Sequence, residues 1–331
     1  MEDVQKILVI GACGQIGTEL TLALRQRYGG DAVVAADLKR ESDLLKGTGT
    51  FLPLDIMDKM TLQVQVRRHN IKSIYLLAAM LSASGEQQPQ LAWKLNMESL
   101  LNTLEVAREE GVQKVFWPSS IAVFGPDAPK VDCPQDAWST PTTVYGISKL
   151  SGEQWCHYYF TRYGVDVRSI RYPGLISYKT LPGGGTTDYA IEIYHAAVRG
   201  EQYPCFLKAD TRLPMMYMDD AVRGTIDLME APVSRITVRT AYNLAGISFT
   251  PAEVAAEING LVPGFSITYK PDYRQAIAES WPESIDDHTA RRDWGWEPEY
   301  DLRKMSEEML KNIRPELAMS TKQQACGIKF H

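Results

Sequence analysis

A doubly wound, mostly parallel α/β sheet with a smaller C-terminal lobe is the fold this sequence predicts, and three observations predict it. The first is a short apolar run, Ile7 to Ile10, that runs into Gly11, Gly14 and Gly17 and then into an amphipathic stretch from Thr18 to Tyr28. The second is the regular alternation of short apolar strands with stretches of helical periodicity as far as Arg171, which demands crossovers and helices on both faces of a parallel sheet. The third is a change of texture after Tyr172-Pro-Gly174, where short strands, helices and many prolines replace that alternation. The chain divides accordingly into a sheet domain over residues 1–174 and a lobe over 175–315 with strand exchange back to the sheet. Residues 316–331 lack periodicity and are expected to be a disordered tail.

With 331 residues, 44% of them hydrophobic, the chain can bury a large core. A net charge of −6 without any long basic run argues against a nucleic-acid partner. No apolar run approaches a membrane span, and strand-like sequence by Lys6 leaves no room for a leader, so no membrane partner and a cytoplasmic location are expected. The cysteines, Cys13, Cys133, Cys156, Cys205 and Cys326, are scattered and odd in number, which predicts neither a metal site nor a disulfide frame.

In the opening unit Gly11 lets the chain turn sharply, Gly14 lets backbone N–H groups approach a phosphate, and Gly17 lets helix pack on strand. This is the start of a Rossmann unit, with the helix N-terminus facing an anion. The second strand, Val33 to Asp37, ends in an acid twenty positions after Gly17. Such an acid accepts hydrogen bonds from the adenosine ribose and repels a 2′-phosphate. At ~4 Å and an effective dielectric of ~20 the repulsion is on the order of 4 kcal/mol before screening, which favours NAD over NADP. Lys39 and Arg40, the contrary signal, read as surface charges.

Thr50 to Ile56 forms a third strand, whose Asp55 can meet the adenine amino group and also serve as an N-cap. Lys72 to Ala79 is a fourth, ending in small residues that suit close passage of a cofactor. Met80 to Pro89, with Ser82, Ser84, Gly85 and Glu86, reads as a flexible polar loop forming part of a pocket wall. A long helix from Leu91 to Glu110 carries Asn96 inside its apolar pattern, where an asparagine usually stays exposed or bonds its own backbone. Val112 to Trp117 is a fifth strand, and Pro118-Ser119-Ser120 stands at its C-terminal edge, where open α/β sheets place ligands. A polar loop from Gly125 to Thr143 leads to a helix from Val144 to Arg162, followed by a sixth strand from Val165 to Arg171. In the lobe, the glycine-rich segment from Leu181 to Asp188 precedes a helix from Tyr189 to Arg199.

Tyr145 and Lys149 are four apart at the start of a helix and so share one face. Tyrosine acts as a base only if its pKa falls from about 10 toward neutrality. A neighbouring ammonium and a cationic nicotinamide both favour the phenolate. Lys149 can also hold the nicotinamide ribose, while the Ser120 hydroxyl fixes a substrate oxygen. Hydroxyl and backbone donors in the glycine-rich loop suit a substrate carboxylate, and Ser82 can accept from an ammonium.

These residues together make the sequence similar to the extended short-chain dehydrogenase/reductases over about Lys6 to Ile313. The resemblance rests on Gly11-Ala-Cys-Gly-Gln-Ile-Gly17, Asp37, Asp55-Ile56, Leu77-Ala-Ala79, Pro118-Ser-Ser120 with Val123-Phe-Gly125, Tyr145-Gly-Ile-Ser-Lys149, Arg171-Tyr-Pro-Gly174 and Trp294-Gly-Trp-Glu-Pro298. It implies Ser120, Tyr145 and Lys149 as the catalytic trio. It also implies NAD held by Gly11, Gly14, Gln15, Ile16, Gly17, Asp37, Leu38, Asp55, Ile56, Leu77, Ala78, Ala79, Asn96, Tyr145, Lys149 and Tyr172, with Asn96 also supporting the trio through a water. Leu77 to Glu86, Pro118 to Pro126, Gly183 to Ala190 and Ser280-Trp-Pro282 with Ser284-Ile-Asp286 resemble, within that family, the branch that oxidises L-threonine at C3. That closer match implies L-threonine contacts from Ser82, Ser120, Tyr145, Gly184, Thr186 and Trp281. It implies a homodimer joined through a four-helix bundle of helices 91–110 and 144–162. A nucleotide-sugar 4-epimerase would use the same trio with a larger pocket and a basic diphosphate clamp, for which Arg168, Arg171 and Arg212 are the candidates. A non-catalytic NAD-sensing protein would not need the trio.

Overall fold

The structure, a computed structural model, describes residues 6–180 and 183–313. The apolar run at the head of the chain forms β1 (Lys6–Ile10), followed by α1 (Gln15–Tyr28), β2 (Val33–Asp37) and β3 (Phe51–Pro53). Next come α2 (Lys59–Arg68), β4 (Ile71–Leu76), α3 (Ser82–Gln87), α4 (Pro89–Glu110) and β5 (Lys114–Phe116). A two-residue strand β6 (Ser119–Ser120) precedes α5 (Val144–Tyr163) and β7 (Asp166–Arg168). The main sheet runs β3-β2-β1-β4-β5-β7, parallel throughout, so the order reverses between β1 and β4. Ligands of open α/β sheets bind at that reversal, beyond the strands' C-terminal ends.

Helices cover both faces. α2, α4 and α5 bury Leu62, Val66, Leu100, Leu104 and Cys156 against one face, and α1 buries Leu20 and Leu24 against the other. Because β1, β2 and β4 are covered on both sides, their runs are almost continuously buried and do not alternate.

The expected sixth strand is two strands. β7 stays in the main sheet, whereas β8 (Ile170–Tyr172) turns away to pair with β6, in the register Ser119↔Arg171 and Ser120↔Tyr172. The cause is Pro118, which has no N–H to continue the β5 ladder after Trp117 N–H reaches the Arg168 carbonyl. The expected flexible loop at Met80–Pro89 is also corrected: residues 82–87 form α3, which packs against both α4 and α5. Glu86 there accepts from Val144 N–H at 2.7 Å, so tertiary contacts order a six-residue helix too short to be stable alone.

The rest of the described chain supplies β9 (Gly174–Ile176), α6 (Tyr189–Val198), β10 (Tyr203–Cys205), β11 (Leu213–Tyr217) and α7 (Met218–Glu230). It continues with β12 (Tyr242–Asn243), β13 (Ile247–Phe249), α8 (Pro251–Leu261), β14 (Ile267–Tyr269), α9 (Arg274–Glu279), α10 (His288–Trp294) and α11 (Leu302–Asn312). β12 pairs in parallel with β8, and α7 packs beside α1. Conversely, Ile121 to Phe124 pack into the core built by α6, α8 and α11. No helix among the described residues is long and apolar enough to cross a membrane. The expected tail, with Cys326, lies outside the described residues, and the other four cysteines are free thiols.

Candidate active site

The glycine turn is built by sterics of three kinds. Gly11 has φ +84°, and a Cβ there would stand 2.6 Å from Ala78 N. A Cβ on Gly17 would lie 2.0 Å from the Gly11 carbonyl oxygen. Gly14 differs, since a Cβ there would meet only the Gly11 oxygen, at 3.3 Å, and the protein itself barely excludes a side chain. Gly14 is also the N-cap of α1 and offers no side-chain cap. An uncapped helix N-terminus behind an open glycine is a cradle for a phosphate. At the end of β2, Asp37 Oδ2 accepts from Cys13 N–H and Oδ1 from Lys39 N–H, both at 2.8 Å, which ties the acid to the turn. Carboxylate oxygens accept more than one bond, so capacity for ribose hydroxyls remains. Leu38 beside it is 75% exposed, an apolar wall without a protein partner to cover it, while Lys39 and Arg40 are exposed. These features fit an adenine dinucleotide.

Asp55 is not the cap of α2. Its Oδ1 accepts from Met57 N–H at 2.9 Å, and the cap is Asp58, which accepts from Thr61 N–H at 3.0 Å. Ile56 is buried. Leu77 N–H donates to the Ile10 carbonyl at 2.8 Å, carrying Leu77, Ala78 and Ala79 past the glycine turn.

Asn96 is buried, contrary to the expectation of an exposed or self-bonded side chain. It accepts from Met80 N–H at 2.8 Å, donates to the Met80 carbonyl at 3.1 Å and reaches Ser148 Oγ at 3.3 Å. Its amide thereby fixes the segment after β4 to α4 and α5.

Tyr145 and Ser120 meet because Gly146 lets α5 touch the turn after β6; a Cβ there would lie 2.1 Å from the Ala122 carbonyl oxygen. Thr143 caps the helix, accepting from Gly146 N–H at 3.1 Å. Lys149 Nζ donates to the Pro118 carbonyl at 2.6 Å, 4.4 Å from the Trp117 ring centroid and 5.4 Å from that of Tyr145. Burial pushes the Lys149 ammonium down to about 7. Burial likewise pushes the Tyr145 phenol up to about 12, with the Ser120 hydroxyl working against it. The shift runs opposite to the expected lowering, because desolvation outweighs the Ser120 hydrogen bond.

A cavity of about 140 Å³ brings together Gln15, Ile16, Leu77, Ala79, Ser82, Ser120, Tyr145, Lys149, Tyr172, Thr186 and Trp281. Across it Ser82 Oγ and Thr186 Oγ1 are 3.2 Å apart. Gly184 is not in the wall. Its N–H and that of Gly185 donate to Asp188 Oδ2 at 2.9 and 2.8 Å, so these expected carboxylate donors are already engaged. Asp188 itself lines the cavity, and burial raises its carboxyl to about 6. The sequence reading missed it, although an acid just before a helix and after a glycine-rich loop is a recognisable N-terminal signal. The Tyr172 hydroxyl points to Thr225 Oγ1 in the core.

The candidate diphosphate clamp is committed elsewhere. Arg168 pairs with Asp166, Arg171 with Glu153 and Arg212 with Glu253. No cluster of three or more metal-ligating side chains occurs among the described residues.

A protein-family model described as the NAD-dependent epimerase/dehydratase family matches residues 7–245. The chain belongs to that family. An uncharacterized epimerase/dehydratase of Staphylococcus haemolyticus is 48% identical over 311 residues, covering 93% of this chain and 98% of the relative. Among solved structures, the holo form of a GalE-like L-threonine dehydrogenase from Cupriavidus necator is 58% identical, with a TM-score of 0.91 over 93% of this chain and 100% of that one. A monomeric L-threonine 3-dehydrogenase from a metagenome database, in its apo form, is 51% identical, with a TM-score of 0.90 over 94% and 99%. These two solved structures share the doubly wound parallel sheet described above.

Proposed function

We infer that this protein is an NAD-dependent L-threonine 3-dehydrogenase, producing L-2-amino-3-oxobutyrate. The observation that carries the reading is the small cavity in which Ser120, Tyr145 and Lys149 face Ser82 and Thr186. None of Arg168, Arg171 and Arg212, the candidate diphosphate clamp, lines it, which favours an amino acid over a nucleotide sugar. The likeness to two L-threonine dehydrogenases at more than half identity supports the same substrate.

In this reading Ser120 donates to the C3 oxygen and holds the hydroxyl beside Tyr145. Tyr145 takes the hydroxyl proton as C3 is oxidised, and Lys149 stabilises the phenolate it needs. NAD, when bound, supplies the hydride acceptor and a positive charge that favours that phenolate. Gly14, Gln15 and Ile16 would hold its phosphates and Asp37 its adenosine ribose. Ser82 and Thr186 orient the polar end of the amino acid, and Trp281 shields it from water. α4 and α5 lie side by side and expose Trp93, Trp155, Tyr158 and Tyr163 to 39–45%, an apolar face that supports a homodimer through a four-helix bundle.

The test is NADH absorbance on mixing the protein with NAD and L-threonine, set against UDP-galactose and against no substrate. Reduction with threonine alone is expected. Epimerisation of UDP-galactose without threonine oxidation would overturn the reading in favour of the epimerase, and inertness toward both would favour a sensor.

A further inference from the structure

Glu153 is a fully buried carboxylate on α5, one helical turn beyond Lys149 and on the same face. It does not line the cavity that holds Tyr145. Both its oxygens are engaged: Arg171 Nε and Nη2 donate to Oε1 and Oε2 at 2.9 and 2.8 Å, and Ser119 Oγ donates to Oε1 at 2.5 Å. Arg171 Nη1 in turn donates to the Gln135 carbonyl at 2.9 Å and to Asn243 Oδ1 at 3.1 Å. Asn243 Nδ2 donates to the carbonyls of Cys133 and Asp286 at 3.1 and 3.2 Å. One polar chain therefore ties α5, β6, β8 and β12 to two loops. Replacing a buried ion pair with apolar residues often costs a fold nothing, so stability alone gives weak reason to keep this one. Its position gives a better reason, because the residue after Ser119 is Ser120.

We propose that Glu153 is a positioning residue for this reaction: clamped by Arg171, it holds Ser119 and hence the Ser120 hydroxyl in place, and sets a negative charge one turn from Lys149. The proposal rests on the roles inferred above for Ser120, Tyr145 and Lys149. The groups facing Lys149 are Tyr145, Glu153 and Cys156 on its own helix, with the Trp117 ring and the Pro118 carbonyl from the segment joining β5 to β6. Burial keeps the Cys156 thiol protonated, which leaves Glu153 as the anion of this group. Facing Glu153 itself are Arg171, Ser119, Lys149 and Cys156. Neutralising Glu153 leaves the Arg171 charge unbalanced, and the added positive field makes the Tyr145–Lys149 pair release its proton at lower pH.

The experiment compares Glu153→Gln, Glu153→Asp and Ser119→Ala in the full chain. Its readouts are the pH profile of threonine oxidation, the NAD dissociation constant and the titration of Lys149 followed by ¹⁵Nζ NMR. For Glu153→Gln we expect kcat at least ~10-fold lower, an NAD dissociation constant changed less than about threefold, and both the acid limb of kcat/KM and the Lys149 titration moved to lower pH. Glu153→Asp restores most of the limb position, and Ser119→Ala lowers kcat several-fold without moving the limb. Wild-type kcat and an unmoved Lys149 titration in Glu153→Gln would overturn the proposal. If that variant does not fold, Ser119→Ala decides, with unchanged kcat counting against the proposal and a several-fold loss for it. Failure of the wild type to oxidise threonine would strike the dehydrogenase reading alone, because the Lys149 titration needs no substrate.

Discussion

Tyr145 and Lys149 lie on one helix, yet burial drives them in opposite directions, the phenol up to about 12 and the ammonium down to about 7. Burial thus favours a neutral phenol beside an amine that sheds its proton readily, and additional positive charge favours the phenolate. Replacing the hydroxyl in Tyr145→Phe is expected to lower kcat by about 10²–10⁴-fold while NAD binding, followed by protein fluorescence, persists. Asp37 makes a second residue-scale prediction. Its loss in Asp37→Ala should reduce the preference for NAD over NADP by roughly 10–100-fold, measured as the ratio of kcat/KM values, since the repulsion of a 2′-phosphate is only partly screened. Asp188 gives a third, with its sign set by linkage. Burial lets its carboxyl keep its proton up to about 6 in the folded protein, against an ordinary value of 3.8 in the unfolded chain. Its contribution to stability is therefore fully present below about 4 and is lost as pH rises through about 6. Asp188→Asn abolishes that loss. Its stability relative to wild type, read from urea melts, should improve between pH ~4 and pH ~7 by at most about 3 kcal/mol.

At the scale of elements, the glycine turn and α5 place these groups. Gly17 has no room for a side chain, so Gly17→Ala should lower stability by about 1–3 kcal/mol in the same melts and weaken NAD binding, because α1 must move off β1. β1, β2 and β4 were legible because they are buried apolar runs, and the stretches read as helical over 18–28, 91–110 and 144–162 correspond to α1, α4 and α5, whereas α2 was not read. What was not legible has local causes. β6 and β8 are too short to leave a pattern, and they exist because Pro118 ends one ladder and Arg171 and Tyr172 begin another. α3 has only six residues, too few to show a period or to hold a helix without its contacts with α4 and α5. Asp55 and Asp58 are equivalent as cap candidates in a sequence, and only the backbone direction after Met57 chooses Asp58. Asp188 escaped, and the partners of Asn96 were not legible although the residue itself was named, for a related reason: each bonds backbone groups of a loop whose path periodicity does not predict.

For the molecule as a whole, the two cores interlock. Residues 121–124 pack into the later core, while β12 pairs with β8 and α7 packs beside α1, so the cavity is walled by segments from both halves of the chain. That arrangement explains why Ser120 and Thr186, far apart in sequence, face the same volume. It also leaves the aromatic face of α4 and α5 uncovered. Light scattering should give a mass twice that of the chain, and a monomer at micromolar concentration would remove the bundle from the account. The central claim remains chemical, that the cavity oxidises a small hydroxy amino acid at C3. Its most direct measurement is turnover of L-threonine with NAD, following NADH by absorbance and the ketone product by mass spectrometry. The account predicts NADH and L-2-amino-3-oxobutyrate in equal amounts, both formed about 10²–10⁴-fold more slowly in Tyr145→Phe; no NADH from threonine, or undiminished turnover in that variant, would contradict it.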